Sequence, residues 1–344
     1  MNWTQYKKKI ILKAKELNLS DEYLTDYISY VKPLFEQDLP VITSSSHFSA
    51  LVGYDHDYIC RMAFSSKHFY RSFAIKKANG NNREIDEPLP DLKQIQFWIL
   101  QEILYRIPVS PYAKAYVKGR SIKHNARFHR NQSVVLTVDV KDFFPSIGIS
   151  DIFQIFINIG YKKNIALFLA NLCCLDGKLP QGAPTSPYLS NIRMIGIDEE
   201  IAAYCKLNLW RFTRYSDDLT FSGNSDVHKL LNEISKIIYK NGFSLNSSKT
   251  RIARKNTRQE VTGIVVNSHM QLPKKVRKEI RQQVYYIRKY GLDSHLEHIG
   301  ETRKNYLSHL LGKACFALFI NPNDIELKKS SMYLKELVKK MESD

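Results

Sequence analysis

The sequence predicts an α+β protein, and three observations support that class. Residues 134–138 form an uninterrupted apolar run, which is typical of a buried strand. Residues 209–215 and 219–222 alternate between apolar and polar side chains, which predicts two short strands joined by a tight turn. Stretches with apolar residues at helical spacing, among them 187–205 and 273–290, predict helices. This mixture of separate strand and helix segments is the pattern of an α+β fold.

The amino-terminal segment is predicted to be helical over residues 4–38. Thr4 and Ser20 stand at N-cap positions, where a side-chain oxygen can accept a hydrogen bond from the first turn. No residue type or spacing in this segment indicates chemistry. A packing appendage and a surface for RNA or a partner are both open interpretations.

A basic hairpin is predicted next. Residues 70–87 contain two strand-like runs around an Asn-Gly turn, which is a strong hairpin former. Lys76, Lys77 and Arg83 cluster at this turn. Such side chains could grip a triphosphate, or they could form an exposed basic tip without further function.

Three carboxylates stand at the ends of predicted strands. Asp139 follows the buried strand, and Asp217 and Asp218 occupy the turn between the alternating segments. A solvated turn that happens to contain two aspartates is one interpretation. The other is a site for a hard divalent ion such as Mg²⁺, because carboxylates held together repel unless a cation lies between them. Three carboxylates can hold two metal ions for an in-line phosphoryl displacement, and we leave Asp142 out of this set on steric grounds.

The segment between the two acidic elements predicts a helix start. Ser186 is a good N-cap and Pro187 suits the first helical position, so we expect a helix that runs to about Cys205.

The charge balance points to a polyanionic partner. Lys and Arg number 51 against 34 Asp and Glu, which gives a formal net charge of +17. That excess favours a phosphate backbone. An anionic membrane is the alternative, but no segment approaches a span of about 20 apolar residues. The first residues also lack the order of a signal peptide, so we expect a cytoplasmic protein with no membrane partner.

Size and cysteine content set further limits. A chain of 344 residues with 44% hydrophobic residues can bury a real core, in one large or two to three small subdomains. The five cysteines, of which Cys173 and Cys174 are adjacent, have neither a disulfide framework nor zinc-site spacing. We expect buried, reduced thiols.

A basic amphipathic helix is predicted over residues 273–290. Its apolar positions recur at helical spacing, and its single acid, Glu279, stands among many basic residues and three interleaved tyrosines. Such a helix suits a duplex backbone, although a membrane surface is also possible. His295 and His298, beyond it, have no companion carboxylates and are interpreted as surface residues.

Three segments together resemble the palm motifs of a reverse transcriptase, in order and spacing as well as in residue type. They are residues 138–147 (VDVKDFFPSI), 179–187 (LPQGAPTSP) and 215–218 (YSDD). Two shorter segments resemble markers of the bacterial retron reverse transcriptases, namely residues 125–129 (NARFH) and 261–263 (VTG).

The resemblance covers about residues 45–300 and implies a right-hand polymerase-like fold with fingers, palm and helical thumb. The implied domains are an N-terminal helical extension over 1–45, fingers and palm over 46–265 with the fingers hairpin at about 70–87, and a basic helical thumb over 266–344. The implied reaction is RNA-templated DNA synthesis with two Mg²⁺ ions held by Asp139, Asp217 and Asp218.

The resemblance also implies roles for residues outside the carboxylate set. Phe144, five positions after Asp139, would exclude a ribose 2′-hydroxyl from the nucleotide site, whereas Phe143 would pack in the palm. The other nucleotide-binding residues would be Lys76, Arg83, Gln181 and Lys249, with Lys249 near the pyrophosphate, although a solvated lysine is also open there. RNA-binding residues would be Asn125, His129, Val261, Thr262, Gly263, Lys274, Lys275, Arg277 and Lys278.

The partners implied by the resemblance are a structured noncoding RNA that serves as template and primer, deoxynucleoside triphosphates and an effector protein. Retron enzymes copy part of that RNA from a guanosine 2′-hydroxyl, and the joined RNA–DNA product (msDNA) commonly acts in antiphage defence. Length argues against a group II intron protein, and Ser186-Pro187 differs from the Ser-Gln of diversity-generating retroelements. An RNA-binding scaffold that restrains an effector, with polymerisation vestigial, is the alternative from another class; the intact carboxylates argue against it.

Overall fold

A computed structural model describes residues 2–76, 80 and 82–343 of the chain. The contacts divide the chain into two compact units. The first unit comprises Met1–Lys118, Val140–Ile201 and Glu233–Leu245, and the second comprises Gly119–Asp139, Ala202–Asn232 and Asn246–Asp344. Because the units are interleaved along the chain, they do not test the domain boundaries expected after residues 45 and 265, which stay predictions.

Helices account for most of the regular structure. In chain order they are α1 (Trp3–Glu16), α2 (Asp21–Glu36), α3 (Ser45–Val52), α4 (His56–Phe64), α5 (Pro90–Trp98), α6 (Ile122–Phe128), α7 (Ile149–Ile159), α8 (Lys163–Cys173), α9 (Ser186–Arg193), α10 (Ile195–Leu207), α11 (Val227–Lys240), α12 (Lys274–Tyr290), α13 (Leu292–Ile299), α14 (Tyr306–Ile320) and α15 (Ile325–Ser343).

The strands form antiparallel sheets. They are β1 (Tyr70–Lys76), β2 (Asn82–Pro88), β3 (Val134–Asp139), β4 (Arg211–Tyr215), β5 (Asp218–Gly223), β6 (Arg251–Arg254), β7 (Glu260–Val261) and β8 (Ile264–Val265). β1 pairs with β2 in the first unit, and the second unit holds a four-stranded sheet in the order β4-β5-β3-β6 and the pair β7-β8. The α+β class is therefore confirmed.

The N-terminal helices of the first unit are capped by Asn2 and Ser20, so one of the two predicted caps is confirmed. Asn2 accepts a hydrogen bond from the Gln5 backbone N–H at 2.9 Å and closes a capping box, so the prediction of Thr4 is wrong. Ser20 caps α2 by accepting from Tyr23, as predicted.

Other local predictions of the first unit hold with small shifts. The hairpin β1–β2 is present, while Lys77, Asn79 and Asn81 of its turn lie outside the described residues. The helix predicted from Ser186 begins there, with Thr185 at the N-cap position and no side-chain hydrogen bond to the first turn, and a break at Met194 separates α9 from α10.

The second unit has one core that joins the sheet to the carboxyl-terminal helices. Ile280, Val284 and Ile287 of α12 are buried in it, which confirms the amphipathic helix predicted for residues 273–290. Val261 and Ile264 of the pair β7–β8 are buried in the same cluster, together with residues of α14 and α15. The short β7–β8 segment is therefore held rigidly against these helices.

The cysteines match the expectation only in part. Cys173, Cys174 and Cys205 are buried and free, and burial raises the pKa of the Cys173 and Cys205 thiols to about 12. Cys315 is exposed, which the sequence analysis did not predict. Within the described part of the chain, no helix combines the length and apolar character needed to cross a membrane.

Candidate active site

The carboxylates of the second unit meet at one end of the four-stranded sheet. Asp139 is the last residue of β3 and lies opposite Asp218, the first residue of β5. Tyr215 of β4 also pairs with Asp218, so Ser216 and Asp217 form a two-residue hairpin turn. Residues directly opposite in antiparallel strands have Cβ atoms about 5 Å apart. The sheet therefore brings together the three carboxylates that the sequence analysis singled out.

The turn is held from the interior by an arginine. Ser216 has a left-handed backbone conformation, with φ of 60°. Its carbonyl accepts a hydrogen bond from the guanidinium of Arg214 at 3.1 Å, and the Arg214 side chain is fully buried. A charged donor to this carbonyl fixes the turn conformation immediately before Asp217. The sequence analysis did not identify Arg214, although an arginine at an inward position of a short strand is an unusual feature.

Burial and electrostatic repulsion both raise pKa values in the carboxylate cluster. Burial raises the pKa of Asp217 above its usual range, and the nearby Asp139 raises it further. Burial, then repulsion from Asp217 and from Asp139, raises the pKa of Asp218 to about 6. The Asp218 side chain still reaches solvent, because it opens into a cleft. The ionised form of these two carboxyls is therefore less favourable than in water. A bound cation would stabilise that ionised form.

Lys249 is the counter-ion of Asp139. Its ammonium lies 2.9 and 2.8 Å from the two Asp139 carboxylate oxygens. The Asn246 backbone N–H also donates to the Asp139 carbonyl at 2.8 Å, so the segment that carries Lys249 is fixed to the end of β3. The Lys249 side chain is 53% exposed in this ion pair, and both the pyrophosphate contact and the solvated lysine stay predictions.

The donor set suits a hard divalent ion, since carboxylate oxygens are the ligands that Mg²⁺ prefers. Among the residues that the structure describes, however, no three acidic, histidine or cysteine side chains are grouped to hold one ion together. Both oxygens of Asp139 are occupied by Lys249. Asp139, Asp217 and Asp218 are the carboxylates that could hold such an ion, because a carboxylate oxygen that accepts one hydrogen bond keeps a further lone pair.

A cleft of about 560 Å³ runs along the face of this sheet. Asp218 and Lys249 line it together with Thr262 and Gly263 of the marker segment at 261–263. Arg251 and Arg258 also line it, and the sequence analysis missed both. The sequence signal that could have identified them is their position in the basic stretch that follows Lys249. Val261 lies in the core instead, where it is fully buried.

Asn125 of α6 and His129, the residue directly after α6, are fully buried in the second unit. The Thr213 hydroxyl donates to Asn125 Oδ1 at 2.5 Å, and the His129 ring nitrogens lie 2.7 and 2.8 Å from the hydroxyls of Thr213 and Ser222. Direct contact with RNA, the role predicted for both residues, does not fit these positions, because their polar atoms face the strands of the hairpin. Their hydrogen-bond partners, Thr213 and Ser222, are distant in the sequence, so the sequence analysis did not predict that Asn125 and His129 are buried.

The first unit has a cleft of its own, of about 840 Å³. Arg83 and Gln181 line it, and so do Asp142 and Lys178. The predicted nucleotide-binding residues Arg83 and Gln181 are thus brought together. Lys76 is exposed at the end of β1 and is not among the described residues that line this cleft.

Gly182 permits a close approach of two backbone segments in the first unit. A Cβ at this position would lie 2.6 Å from the Asp86 carbonyl oxygen, and its φ is +143°. The Asp86 backbone N–H donates to the Gln181 carbonyl at 2.9 Å. Any side chain at residue 182 would therefore push Gln181 away from β2.

The two phenylalanines of the first palm motif have different environments. Phe143 is buried and packs against Phe243, with ring centroids 6.1 Å apart, in agreement with the predicted packing role. Phe144 is only half-buried and meets Phe143 edge-on at 5.4 Å. Its remaining exposed surface is available to a ligand, as the predicted sugar gate requires.

The basic residues of α12 also divide into two kinds. Lys274, Lys275 and Lys278 are exposed. Arg277 instead donates to the Leu272 carbonyl and forms an ion pair with Asp324 at 3.2 Å, so its guanidinium is engaged within the second unit.

His295, which was predicted to be a surface residue, is buried, and its Nε2 lies 2.9 Å from the Tyr306 hydroxyl. That prediction is wrong.

The comparisons with known proteins identify the family of the chain. The family profile described as reverse transcriptase (RNA-dependent DNA polymerase) matches residues 75–266. The chain is 32% identical over 278 residues to the retron Ec86 reverse transcriptase of Escherichia coli, which covers 79% of this chain and 85% of that protein. It is 30% identical over 349 residues to the retron Mx65 reverse transcriptase of Myxococcus xanthus, covering 94% and 79% of the two chains.

The α+β fold and the match to the reverse transcriptase profile together define a nucleotidyltransferase. The chain belongs to the reverse transcriptase family, among the retron enzymes. It is an RNA-directed DNA polymerase, and nucleic acid is its partner. Enzymes of this family generally use divalent metal ions.

Proposed function

We propose that this enzyme copies part of a structured noncoding RNA into DNA that stays covalently joined to that RNA. Synthesis would start from the 2′-hydroxyl of a guanosine in the same RNA, which serves as both primer and template. The similarity to retron reverse transcriptases supports this proposal, and so does the marker segment at Thr262 and Gly263 in the cleft that holds Asp218.

Asp139, Asp217 and Asp218 are the proposed ligands of two Mg²⁺ ions. When bound, the ions would activate the attacking hydroxyl and stabilise the leaving oxygen. The protein supplies the arrangement: strand pairing holds Asp139 opposite Asp218, and Arg214 fixes the turn before Asp217. Lys249 pairs with both carboxylate oxygens of Asp139, and its ammonium is the proposed contact for the pyrophosphate.

Residues of the first unit are the proposed nucleotide contacts. Arg83 would hold the triphosphate through its planar guanidinium, with Lys76 as a mobile second cation. Gln181 would align the base or template at the cleft that it shares with Arg83. Phe144 would exclude a 2′-hydroxyl by occupying the space beneath the sugar.

The observation that carries the proposal is the pairing of Asp139 with Asp218 beside a buried, conformationally fixed turn. Nucleic acid copurified from cells that express the chain with its neighbouring noncoding RNA tests it. We expect DNA that keeps a ribonucleotide at its 5′ end after RNase digestion, and that changes mobility after treatment with a debranching enzyme. The Asp217→Asn protein should copurify with the RNA alone. DNA with no ribonucleotide attached would contradict 2′-primed synthesis.

The proposed biological role is antiphage defence with an effector protein. Phage plating efficiency on cells that carry the whole locus tests this role. We expect protection by the wild type and none by the Asp217→Asn form. Full protection by Asp217→Asn would instead support the scaffold alternative, in which the chain restrains its effector without making DNA.

A further inference from the structure

A chain of buried hydrogen bonds links α6 to both strands of the catalytic hairpin. It runs from Asn125 to Thr213, from Thr213 to His129, and from His129 to Ser222. Thr213 belongs to β4 and Ser222 to β5, so α6 holds the strand before the turn and the strand after it. We call these four side chains the hairpin network.

For a neutral His129 ring, the available donors fix the hydrogen-bond directions in this network. Thr213 donates its only hydroxyl proton to Asn125 Oδ1, so it must accept from His129 Nε2–H. A neutral imidazole with its proton on Nε2 then accepts at Nδ1 from the Ser222 hydroxyl. Each of these three bonds has one donor and one acceptor, which makes the arrangement self-consistent in a single direction.

Because the network is buried, water cannot replace a hydrogen bond that is lost from it. The four side chains are between 0% and 1% exposed, so a lost partner leaves a polar atom without water. A shift of either strand would break bonds on both sides of His129. The network therefore opposes displacement of β4 relative to β5 more strongly than apolar packing would, because hydrogen bonds are directional.

The network also acts on the face of the sheet that carries a catalytic carboxylate. Alternate residues of a strand share a face, and Asp218, Thr220 and Ser222 alternate along β5. Thr213 lies opposite Thr220 and shares that face. The network contacts β4 at Thr213, two residues before Tyr215, and β5 at Ser222, four residues after Asp218.

We propose that Asn125, His129, Thr213 and Ser222 are positioning residues for the reaction, which set the place of Asp217 and Asp218 for metal binding rather than reading RNA. This inference rests on the proposed function, because it takes those two carboxylates as the metal ligands. The marker segment at residues 125–129 would then support the catalytic carboxylates. Asn125 also reaches toward the 261–263 segment, with its Nδ2 3.5 Å from the Thr262 hydroxyl.

Thr213→Val is the sharpest test, because it keeps the shape and β-branching of the side chain and removes the hydroxyl that joins Asn125 to His129. Thr213→Ser restores the hydroxyl. Thr43→Val is the matched control, since it removes a threonine–histidine hydrogen bond of 3.1 Å, to His47, in the first unit. Binding of Mn²⁺ to the protein without nucleotide, followed by electron paramagnetic resonance, is measured beside the Mg²⁺ dependence of nucleotide incorporation.

We expect Thr213→Val to weaken Mn²⁺ binding and to raise the Mg²⁺ concentration for half-maximal rate by about 10-fold, as is typical of residues that orient ligands. Its kcat should fall by about 10- to 100-fold while the affinity for RNA is unchanged. Thr213→Ser should recover most of both losses, and Thr43→Val should behave as the wild type.

Wild-type metal binding and kcat in a folded Thr213→Val protein would overturn the proposal. If Thr213→Val does not fold, Ser222→Ala decides in the same way, because it breaks the network at its other end and creates little strain. Equal loss of RNA affinity and of rate would also overturn it and return Asn125 and His129 to an RNA-reading role. An Asp217→Asn protein with wild-type synthesis would instead defeat the carboxylate assignment, which separates failure of the proposed function from failure of this inference.

Discussion

The catalytic turn and helix α12 both concentrate charge in the second unit, but their charged groups have different environments. Asp139 and the Ser216–Asp217 turn are fixed by Lys249, Arg214 and strand pairing, and the pKa values of Asp217 and Asp218 are raised. The α12 lysines Lys274, Lys275 and Lys278 project into solvent, where salt screens each of them.

This difference separates two ways of using charge. A buried, oriented carboxylate acts through its position, so the loss of one removes the function. An exposed lysine acts through the summed field of its neighbours, so the loss of one is graded and depends on salt. The comparison predicts a different response to mutation in each region.

The largest expected effect is at the carboxylates. Asp139→Ala, Asp217→Ala and Asp218→Ala should each lower DNA synthesis by about 1,000-fold or more, because each removes charge where the reaction needs it. RNA affinity, measured by filter binding, should stay within a few-fold of the wild type. Substantial incorporation by either the Asp139→Ala or the Asp217→Ala protein would end the two-metal assignment.

The next effect concerns α12. A triple Lys274→Ala, Lys275→Ala, Lys278→Ala variant should bind RNA about 10- to 100-fold more weakly, and the slope of log affinity against log salt should decrease by about 2 to 3. Arg277→Ala should keep the slope and lower the melting temperature, since it leaves Asp324 without its partner.

The matched control for this prediction removes the same charge elsewhere. Lys7, Lys8 and Lys9 of α1 are likewise exposed, and their triple alanine variant should change the slope less. An equal change in both triple variants would mean that α12 has no special role, and it would favour an RNA surface over a packing appendage for the N-terminal helices.

A smaller effect is expected for sugar selection. Phe144→Val should raise the use of ribonucleotides relative to deoxyribonucleotides by about 10-fold, since space opens for the 2′-hydroxyl. Phe143→Val should instead lower the free energy of unfolding by about 2 kcal/mol, because Phe143 is buried in the core. Competition between dCTP and CTP measures the ratio, and unchanged selectivity in both variants would exclude either ring as the gate.

The smallest effect is on stability without metal. The pKa of Asp218 is raised from 3.8 to about 6, so the folded protein binds this proton more tightly than the unfolded chain. The contribution of Asp218 to the free energy of unfolding therefore falls as the pH rises from 3.8 to about 6. Asp218→Asn removes the penalty, and solvent screening of the exposed carboxylate limits the gain to about 1 kcal/mol, or about 1–2 °C in melting temperature at pH 7.

Melting curves in EDTA at pH 7 and pH 4 test this prediction. The variant should melt above the wild type at pH 7, and the difference should become smaller at pH 4, where Asp218 is largely protonated in the folded protein. Added Mg²⁺ should stabilise the wild type more than the variant. A variant that melts below the wild type in EDTA at pH 7 would contradict the raised pKa of Asp218.

The hairpin and the end of β3 could be predicted from the sequence because their information is local. Alternating residues specify short strands, and an apolar run that stops at Asp139 specifies a strand end. The N-cap errors at Thr4 and Ser186 have a simple origin, since several neighbouring side chains can cap a helix and the choice depends on the backbone.

The hairpin network could not be predicted in the same way. Asn125 and His129 are polar and precede a strand, which is also the description of surface residues. Only the pairing of distant strands places Thr213 and Ser222 against them. The prediction that His295 is a surface residue was wrong for the same reason. Its hydrogen-bond partner, Tyr306, belongs to another helix.

The most direct test compares the two regions in one preparation of protein with its copurified RNA. Single-turnover nucleotide incorporation at saturating RNA, and RNA affinity at two salt concentrations, are measured for Asp217→Asn and for the α12 triple-lysine variant. We predict that Asp217→Asn loses the rate and keeps both the affinity and its salt dependence, while the triple variant loses affinity and keeps the rate. Loss of affinity in Asp217→Asn, or loss of the saturated rate in the triple variant, would contradict the separation of position from summed charge.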